Sequence, residues 1–249
     1  MNLPKFYQML ASAVLLAGAA TSCSQALTSE CKSTGPMISR TESVSGPTTS
    51  LSTSMGLKVT YTQSDTTSIV INAPSDIMQY IVAEQKDGSL SFSSTKPLNQ
   101  CAQKVSISVS APDIVGFRTS SGSSLIVESP YSAGSNDVYI KASSGSLINF
   151  QSLNAAKISV ESSSGASVNL LEIHATNVSG DASSGSCTSM TGSATTVQFE
   201  TSSGASISAG KLQAQNGSAN ASSGSSVTCN ITQPDNLKKS SGASINNVR

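Results

Sequence analysis

The chain has 249 residues, and its 14 basic residues balance its 14 acidic ones, so the formal net charge is zero. Only 11% of the residues are charged, 4% are aromatic, and none is Trp. Because there is no basic run and no cluster of aromatic and arginine side chains, the composition excludes an ordinary nucleic-acid-binding protein. The hydrophobic share of 37% is enough for a buried core where it follows a regular pattern.

The first 22 residues have the order of a secretory signal peptide. Lys5 supplies the positive charge, and an apolar stretch too short for a stable membrane span follows it. Small residues then precede Cys23, as in a bacterial lipobox, although a lipobox usually has leucine where Ala20 stands. We predict a lipoprotein signal peptide over residues 1–22 and lipidation of Cys23. Acyl chains would hold the protein in the cell envelope, at either face of the outer membrane. An ordinary signal peptide with an incidental cysteine is the alternative.

The segment before residue 111 divides into two parts. Residues 23–37 are rich in Ser, Thr and Gly, which predicts a flexible tether. Residues 38–110 contain runs of alternating apolar and polar residues separated by turn residues such as Asp87-Gly88. This pattern predicts β-strands. We expect these strands to cap one end of the fold that follows.

Seven Ser-Ser-Gly triplets recur at nearly constant spacing in the second half of the chain. Their glycines are Gly122, Gly145, Gly165, Gly185, Gly204, Gly224 and Gly242. A period of about 20 residues predicts a solenoid in which each repeat forms one coil. Glycine adopts positive φ without steric cost, so each triplet predicts a tight corner.

Alignment of the seven glycines shows which positions of each repeat are apolar. The residues seven and five before each glycine, and three after it, are mostly apolar, and the residues between them are mostly polar. This alternation predicts strands with one buried face, which would pair in parallel at about 4.8 Å between coils. We predict an all-β, right-handed parallel β-helix over residues 111–249. A disordered Ser/Gly linker would have no reason to keep apolar columns in register.

The order of motifs over residues 38–249 resembles a known family. Leu57-Lys-Val-Thr-Tyr-Thr-Gln precedes Ile69-Val-Ile-Asn-Ala, and Asp87-Gly-Ser-Leu-Ser-Phe precedes a Val105-Ser-Ile-Ser-Val-Ser-Ala-Pro strand. This order is similar to that of the auto-transporter adhesin head GIN domain, common in lipoproteins of the Bacteroidetes. The resemblance implies a β-solenoid, a cell-envelope location and an adhesive or structural role, and it supplies no catalytic residues. The usual coil motif of that family is closer to Gly-Ser-Gly, and serine stands in the first position here.

A column of charged residues lies four positions before each repeat glycine. Stacking would place Glu161, Asp181 and Glu200 directly above one another. Carboxylates at about 4.8 Å repel one another unless a cation intervenes, so this ladder is a candidate site for a cation or a charged ligand. A solvated outer ladder with salt bridges at its ends is the simpler interpretation. We predict no resident metal and no cofactor.

Adjacent carboxylates on a solenoid also suggest a carbohydrate-active hydrolase or lyase, which is the alternative function. Such enzymes need an acid with a raised pKa in a cleft with aromatic side chains, and aromatic residues are few after residue 110. The single histidine, His174, has Glu172 two residues before it, which is weak support for a Ser-His-Glu site. We therefore predict a non-enzymatic protein without catalytic residues. It would bind glycans or another envelope component through a polar face of the solenoid.

Four cysteines besides Cys23 allow three disulfide pairings in an oxidising compartment. Cys187 and Cys229 lie two coils apart, which exceeds the Cα separation of about 7 Å that a disulfide spans. We expect these two not to pair, and Cys31–Cys101 is the candidate disulfide. The last residues, 240–249, offer little polar protection to the end of the solenoid. Oligomers formed through end contacts are therefore a further hypothesis.

Overall fold

The computed structural model describes residues 31–249, most of which lie in β-strands. The N-terminal strands are β1 (Met37–Glu42), β2 (Ser50–Thr53), β3 (Lys58–Gln63), β4 (Ser68–Pro74), β5 (Ile81–Lys86), β6 (Ser89–Ser94) and β7 (Ser106–Ala111). The repeat strands are β8 (Gly116–Thr119), β9 (Ser124–Val127), β10 (Tyr131–Ser132), β11 (Asp137–Ala142), β12 (Leu147–Phe150), β13 (Leu153–Ser162), β14 (Ser167–Ala182), β15 (Cys187–Thr201), β16 (Ser206–Ala221), β17 (Ser226–Lys239) and β18 (Ser244–Asn247). A short helix α1 (Ser75–Met78) and a 3₁₀ helix (Asn99–Lys104) interrupt the N-terminal strands.

The repeats stack in parallel and in register, which confirms the β-solenoid with coils of about 20 residues. Before the corner, Ile140 on β11 lies opposite Phe117 on β8 and Val160 on β13. After the corner, Ile148 on β12 is flanked in the same way by β9 and β14. Both equivalences continue through the later coils. The apolar columns of the sequence are therefore the stacked layers of the core.

Each Ser-Ser-Gly triplet forms a tight turn in which two residues have positive φ. At one corner φ is 51° for Ser164 and 70° for Gly165. The Ala166 N–H donates to the Ser163 carbonyl at 3.0 Å, which closes a type I′ turn. The Gly165 N–H donates to the Ser184 carbonyl of the next coil, also at 3.0 Å. The second serine thus holds a backbone conformation that is uncommon outside glycine.

The N-terminal strands form a mixed sheet, and four of them extend the stack of coils. β2 and β3 lie parallel to β8 and β9 on one side and to β6 and β7 on the other. The turn between β2 and β3 repeats the corner, because Met55 and Gly56 have positive φ and the Gly56 N–H donates to the Ser121 carbonyl at 3.0 Å. Coils therefore do not follow chain order at this end.

Antiparallel strands complete the N-terminal end of the sheet. β4 pairs with β7 and with β1, and β5 pairs with β6. Next to them, residues 31–36 of the predicted tether contact α1 and the 3₁₀ helix. Cys31 forms a disulfide with Cys101, and the Ser33 hydroxyl donates to an Asp76 carboxylate oxygen at 2.7 Å.

Some predictions concern residues that the structure does not describe. The signal peptide, Cys23 and the rest of the tether lie outside residues 31–249 and stay predictions. Within that described part, Cys187 and Cys229 are free thiols, one exposed and one buried. No helix between residues 31 and 249 has the length and apolar content needed to cross a membrane.

Large aromatic side chains fill the core in the first coils. Tyr61, Phe117, Tyr131 and Phe150 pack edge to face, with ring centroids 4.9 to 6.1 Å apart. The Tyr61 hydroxyl is buried and donates to the Ala111 carbonyl at 2.7 Å. These contacts anchor the N-terminal coil that contains β3 to the first repeats.

Buried hydroxyl groups pair across neighbouring coils beside the corners. The pairs are Thr119 with Ser146 at 2.8 Å, Ser162 with Ser186 at 3.0 Å, and Thr201 with Ser225 at 2.8 Å. At the equivalent positions between them, alanine faces alanine: Ala142 and Ala166, Ala182 and Ala205, Ala221 and Ala243. A buried hydroxyl needs a partner, so the residue type in one coil constrains the residue type in the next.

Candidate ligand-binding groove

The strands before the corners turn their polar residues outward in three columns. These columns lie four, six and eight residues before the repeat glycines, and neighbouring members are opposite each other in the strand register. The first contains Lys141, Glu161, Asp181 and Glu200; the second Tyr139, Ser159, Ser179 and Gln198; the third Asp137, Lys157, Asn177 and Thr196. We call this surface the groove face.

The carboxylate ladder that the sequence suggested lies on the groove face. Glu161 is opposite Asp181, and Asp181 is opposite Glu200. Lys141 Nζ lies 2.5 Å from Glu161 Oε2, so one end of the ladder is a salt bridge. Within residues 31–249 no group of three or more His, Cys, Asp or Glu side chains is placed to hold a metal ion. The geometry therefore gives no support to a divalent cation at the ladder.

Asp181, in the middle of the ladder, has a perturbed carboxyl group. Partial burial raises the pKa of this carboxyl, and the negative charges of Glu200 and Glu161 raise it further. Asp181 forms no ion pair within the described residues, although Lys141, Lys238 and Lys239 line cavities that Asp181 also borders. Asp181 consequently ionises less readily than an ordinary exposed aspartate.

A groove of about 610 Å³ runs along the outer side of β13, β14 and β15. The small residues Ser159 and Ser179 form its floor, with their Oγ atoms 3.2 Å apart. The register places the Lys157 column along one side and the carboxylate ladder along the other. The groove is thus lined by hydroxyl, amide, ammonium and carboxylate groups together with Tyr139 and the valines Val160, Val178 and Val197, a mixture that suits a sugar with polar hydroxyl groups and apolar ring faces.

Tyr139 stands at one end of this groove. Its side chain is highly exposed to solvent for a large residue, with 51% relative exposure. The ring also borders a smaller cavity of about 190 Å³ that Arg118 and Lys141 line. Tyr139 was not predicted as a site residue. Its position six residues before Gly145 is a usable signal, because the side chains of that column from Tyr139 to Gln198 face outward.

A second polar group involves the single histidine on another side of the solenoid. His174 Nδ1 lies 3.0 Å from Ser193 Oγ, and His174 Nε2 lies 3.6 Å from a Glu172 carboxylate oxygen. The side chains of His174 and Glu172 are 55% and 62% exposed, so water reaches both. Nucleophilic catalysis requires a site that orders its catalytic groups and limits access of water. His174, Glu172 and Ser193 are not enclosed in such a site.

Comparison with protein families identifies the solenoid. The family model described as "putative auto-transporter adhesin, head GIN domain" matches residues 49–248. The chain belongs to this family. The match begins at β2, so the GIN domain includes the coil of β2 and β3 that lies out of chain order.

Solved structures share the fold of this GIN domain. A "putative lipid binding protein" from Parabacteroides distasonis superposes with a TM-score of 0.75 at 17% identity, covering 87% of this chain and 98% of its own. A "putative adhesin" from Parabacteroides merdae gives 0.73 at 14% identity, with coverages of 87% and 98%. Another "putative adhesin" from P. distasonis gives 0.71 at 16%, with coverages of 86% and 95%. A search of curated proteins gave no significant match. At these identities the likeness shows the fold alone.

Proposed function

We propose that this GIN domain is a non-enzymatic, adhesin-like component of the cell envelope that binds glycans along the groove face. The observation that carries the proposal is the groove itself. It joins an exposed aromatic ring, Tyr139, to a floor of serine hydroxyls and sides of amide and charged groups. Aromatic faces pack against sugar rings, and the polar groups supply hydrogen bonds to sugar hydroxyls. Membership of the adhesin head family supports an adhesive role.

The arrangement of the carboxylates favours binding over hydrolysis. A glycoside hydrolase places its two carboxyl groups on either side of the bond that breaks. Glu161, Asp181 and Glu200 belong to one column and therefore line the same side of the groove. The raised pKa of Asp181 is the one feature that a hydrolase or lyase would share. That enzyme is the second candidate, and the binding experiment includes its test.

One structural neighbour is named as a "putative lipid binding protein", but the groove face is poorly suited to bind a lipid. Its columns contain serine, asparagine, glutamine, lysine and carboxylate side chains, which hydrogen-bond to hydroxyl groups better than they accommodate acyl chains. We propose that lipid serves this protein only as a membrane anchor. Acyl chains on Cys23 tether the domain to the outer membrane, where the domain binds glycans or envelope proteins.

Glycan binding and glycan cleavage are measured in one experiment. The purified protein and a Tyr139→Ala variant are applied to a glycan array, and the soluble form of every bound glycan is incubated with the protein and analysed for products. We expect binding that Tyr139→Ala lowers at least tenfold, and no products. Products that disappear in Asp181→Asn would establish the hydrolase or lyase instead. A protein that binds no glycan would overturn the glycan proposal.

The anchor is tested separately in cells. Wild-type protein should enter the detergent phase with the membranes and carry acyl chains on its N-terminal cysteine by mass spectrometry. Cys23→Ser should abolish both properties, while Cys187→Ser, the matched control at an exposed thiol, should change neither. A wild-type protein that is exported without acyl chains would show an ordinary signal peptide.

A further inference from the structure

Two cations flank Tyr139 without an acidic partner. Arg118 is opposite Lys141 in the strand register and shares the smaller cavity with the Tyr139 ring. Lys157 lines the groove on the other side of that ring. Neither cation takes part in any ion pair within residues 31–249, although Asp137 is the register neighbour of Lys157. Glu161 also lines the smaller cavity, where it pairs with Lys141. The surface around Tyr139 therefore has three cations, Arg118, Lys141 and Lys157, against two carboxylates, Glu161 and Asp137.

The far end of the groove has the opposite charge. Asp181 and Glu200 line it, and neither forms an ion pair among the described residues. Lys238 and Lys239 line an adjoining cavity beside these carboxylates but do not line the groove. A polyanion that followed the groove would be attracted at Tyr139 and repelled at these carboxylates. A ligand with one negative charge beside Tyr139 and a neutral remainder would gain the attraction and avoid the repulsion.

The chemistry around Tyr139 matches a carboxylated sugar. The open face of the ring can pack against the sugar ring. The planar guanidinium of Arg118 can donate two parallel hydrogen bonds to a carboxylate, and Lys157 adds a point charge. Neutral sugars beyond it would lie over Ser159 and Ser179, whose hydroxyls both donate and accept hydrogen bonds.

We propose, building on the function proposed above, that Arg118, Tyr139 and Lys157 form a subsite for a single acidic sugar at the end of an otherwise neutral oligosaccharide. The acidic sugar sits at the Tyr139 end, and the neutral part extends towards Gln198. The carboxylates at that far end exclude highly charged chains. The groove face thereby selects singly acidic glycans over both neutral and polyanionic ones.

The test compares three sets of glycans on one array with the full-length protein in detergent. The sets are neutral oligosaccharides, the same oligosaccharides ending in one uronic or sialic acid, and polysulfated glycosaminoglycans. We expect the singly acidic set to bind at least tenfold more tightly than its neutral counterparts, and the polysulfated set to bind less than the singly acidic one.

Variants separate the acidic subsite from glycan binding in general. Arg118→Ala should lower binding of the singly acidic set at least tenfold and so abolish the preference for acidic ends, whereas Tyr139→Ala should weaken binding of both sets. Lys211→Ala removes an exposed cation that does not line the groove and should behave as wild type. Thermal unfolding of each variant checks that the fold is intact.

The outcomes distinguish the subsite from the proposed function. Equal binding of neutral and acidic glycans, unaffected by Arg118→Ala, would overturn the acidic subsite while glycan binding stands. Tightest binding of the polysulfated set would overturn it as well, because simple charge attraction would then explain binding. If no glycan binds, both the subsite and the glycan function fail.

Discussion

The hydroxyl oxygen of Thr201 lies 2.8 Å from that of Ser225 on the next coil, and both residues are buried. The Ser225 hydroxyl also accepts a hydrogen bond from the Ser222 N–H at 3.1 Å. One coil further back the same positions are Ala182 and Ala205, which need no partner. From Thr119 onward, matched pairs, either hydroxyl with hydroxyl or alanine with alanine, thus satisfy the buried polar groups beside the corners. The exception is the earlier corner at Gly56, where the buried Thr53 hydroxyl has no hydrogen-bond partner.

Removal of one member of a hydroxyl pair should cost more than removal of both. Ser225→Ala leaves the Thr201 hydroxyl and the Ser222 N–H without their partner, so we expect a loss of about 1–3 kcal/mol in the free energy of unfolding. The double variant Thr201→Ala/Ser225→Ala recreates the alanine pair and should recover part of that loss. Urea unfolding of a double-mutant cycle measures the coupling. Additive losses would show that the two hydroxyls act independently. Ser208→Ala, at an exposed position of strand β16, is the control.

Gly180 should resist replacement although its column is otherwise apolar. A Cβ atom there would lie 3.1 Å from Met190 Cε and 3.2 Å from Phe199 Cδ1. We expect Gly180→Val to lower the free energy of unfolding by about 1–3 kcal/mol through overpacking. A second change, Phe199→Val, should relieve part of the cost, which thermal unfolding would detect. A stable single Gly180→Val variant would show that the core has spare room at this layer.

The second serine of a corner should prefer residues that tolerate positive φ. Ser184 is exposed and has φ of 52°. Asparagine adopts this conformation readily, so Ser184→Asn should raise stability by about 0.5 kcal/mol, and Ser184→Val should lower it by about 1–2 kcal/mol. Ser189→Val, on strand β15, is the matched control and should be neutral or favourable. Equal effects of valine at the two positions would contradict a conformational cause.

The disulfide should stabilise the N-terminal end of the solenoid. Cys31 and Cys101 are 70 residues apart in sequence, so the bond closes a long loop. The double variant Cys31→Ser/Cys101→Ser should lose about 2–4 kcal/mol in urea unfolding. Hydrogen exchange should rise first at residues 31–36 and β1. Cys187→Ser should leave stability within about 0.5 kcal/mol of wild type, since that thiol is free and exposed.

Asp181 should make stability depend on pH. Its folded-state pKa lies above the ordinary aspartate value of about 3.9, so its contribution to stability is complete below that value and is lost as pH rises through the raised pKa. Asp181→Asn removes the repulsion with Glu161 and Glu200. It should therefore stabilise the protein at pH 7 by no more than about 0.5 kcal/mol, because the group is largely exposed.

The pH profile identifies the carboxyl that is responsible. The gain from Asp181→Asn should shrink as the pH falls and the wild-type carboxyl becomes protonated. Glu161→Gln should give no comparable gain, because it also removes the salt bridge with Lys141. Thermal unfolding of the three proteins from pH 3 to pH 8 tests both statements, and a gain that does not vary with pH would contradict them.

The coil of β2 and β3 at the N-terminal end was not predicted from the sequence. Residues 50–63 contain the corner Ser54-Met55-Gly56, which carries the same pair of positive φ values as the Ser-Ser-Gly corners. This corner does not match the Ser-Ser-Gly triplet because methionine replaces the second serine. The position of this coil, between β6/β7 and β8/β9, depends on contacts between segments that are distant in sequence. Such contacts leave no period in the sequence.

By itself, the sequence determined the repeating part of the protein: the coil length, the corners, the buried columns and the order of the charges on the outer face. It could do so because each coil contacts only its neighbours, and because glycine corners and strand alternation are local properties of the chain. Tertiary structure alone decided that an early coil is inserted out of order, that Gly180 makes room for Phe199, and that Tyr139 borders a groove. Those features depend on the sizes and contacts of side chains from different coils, which no single repeat encodes.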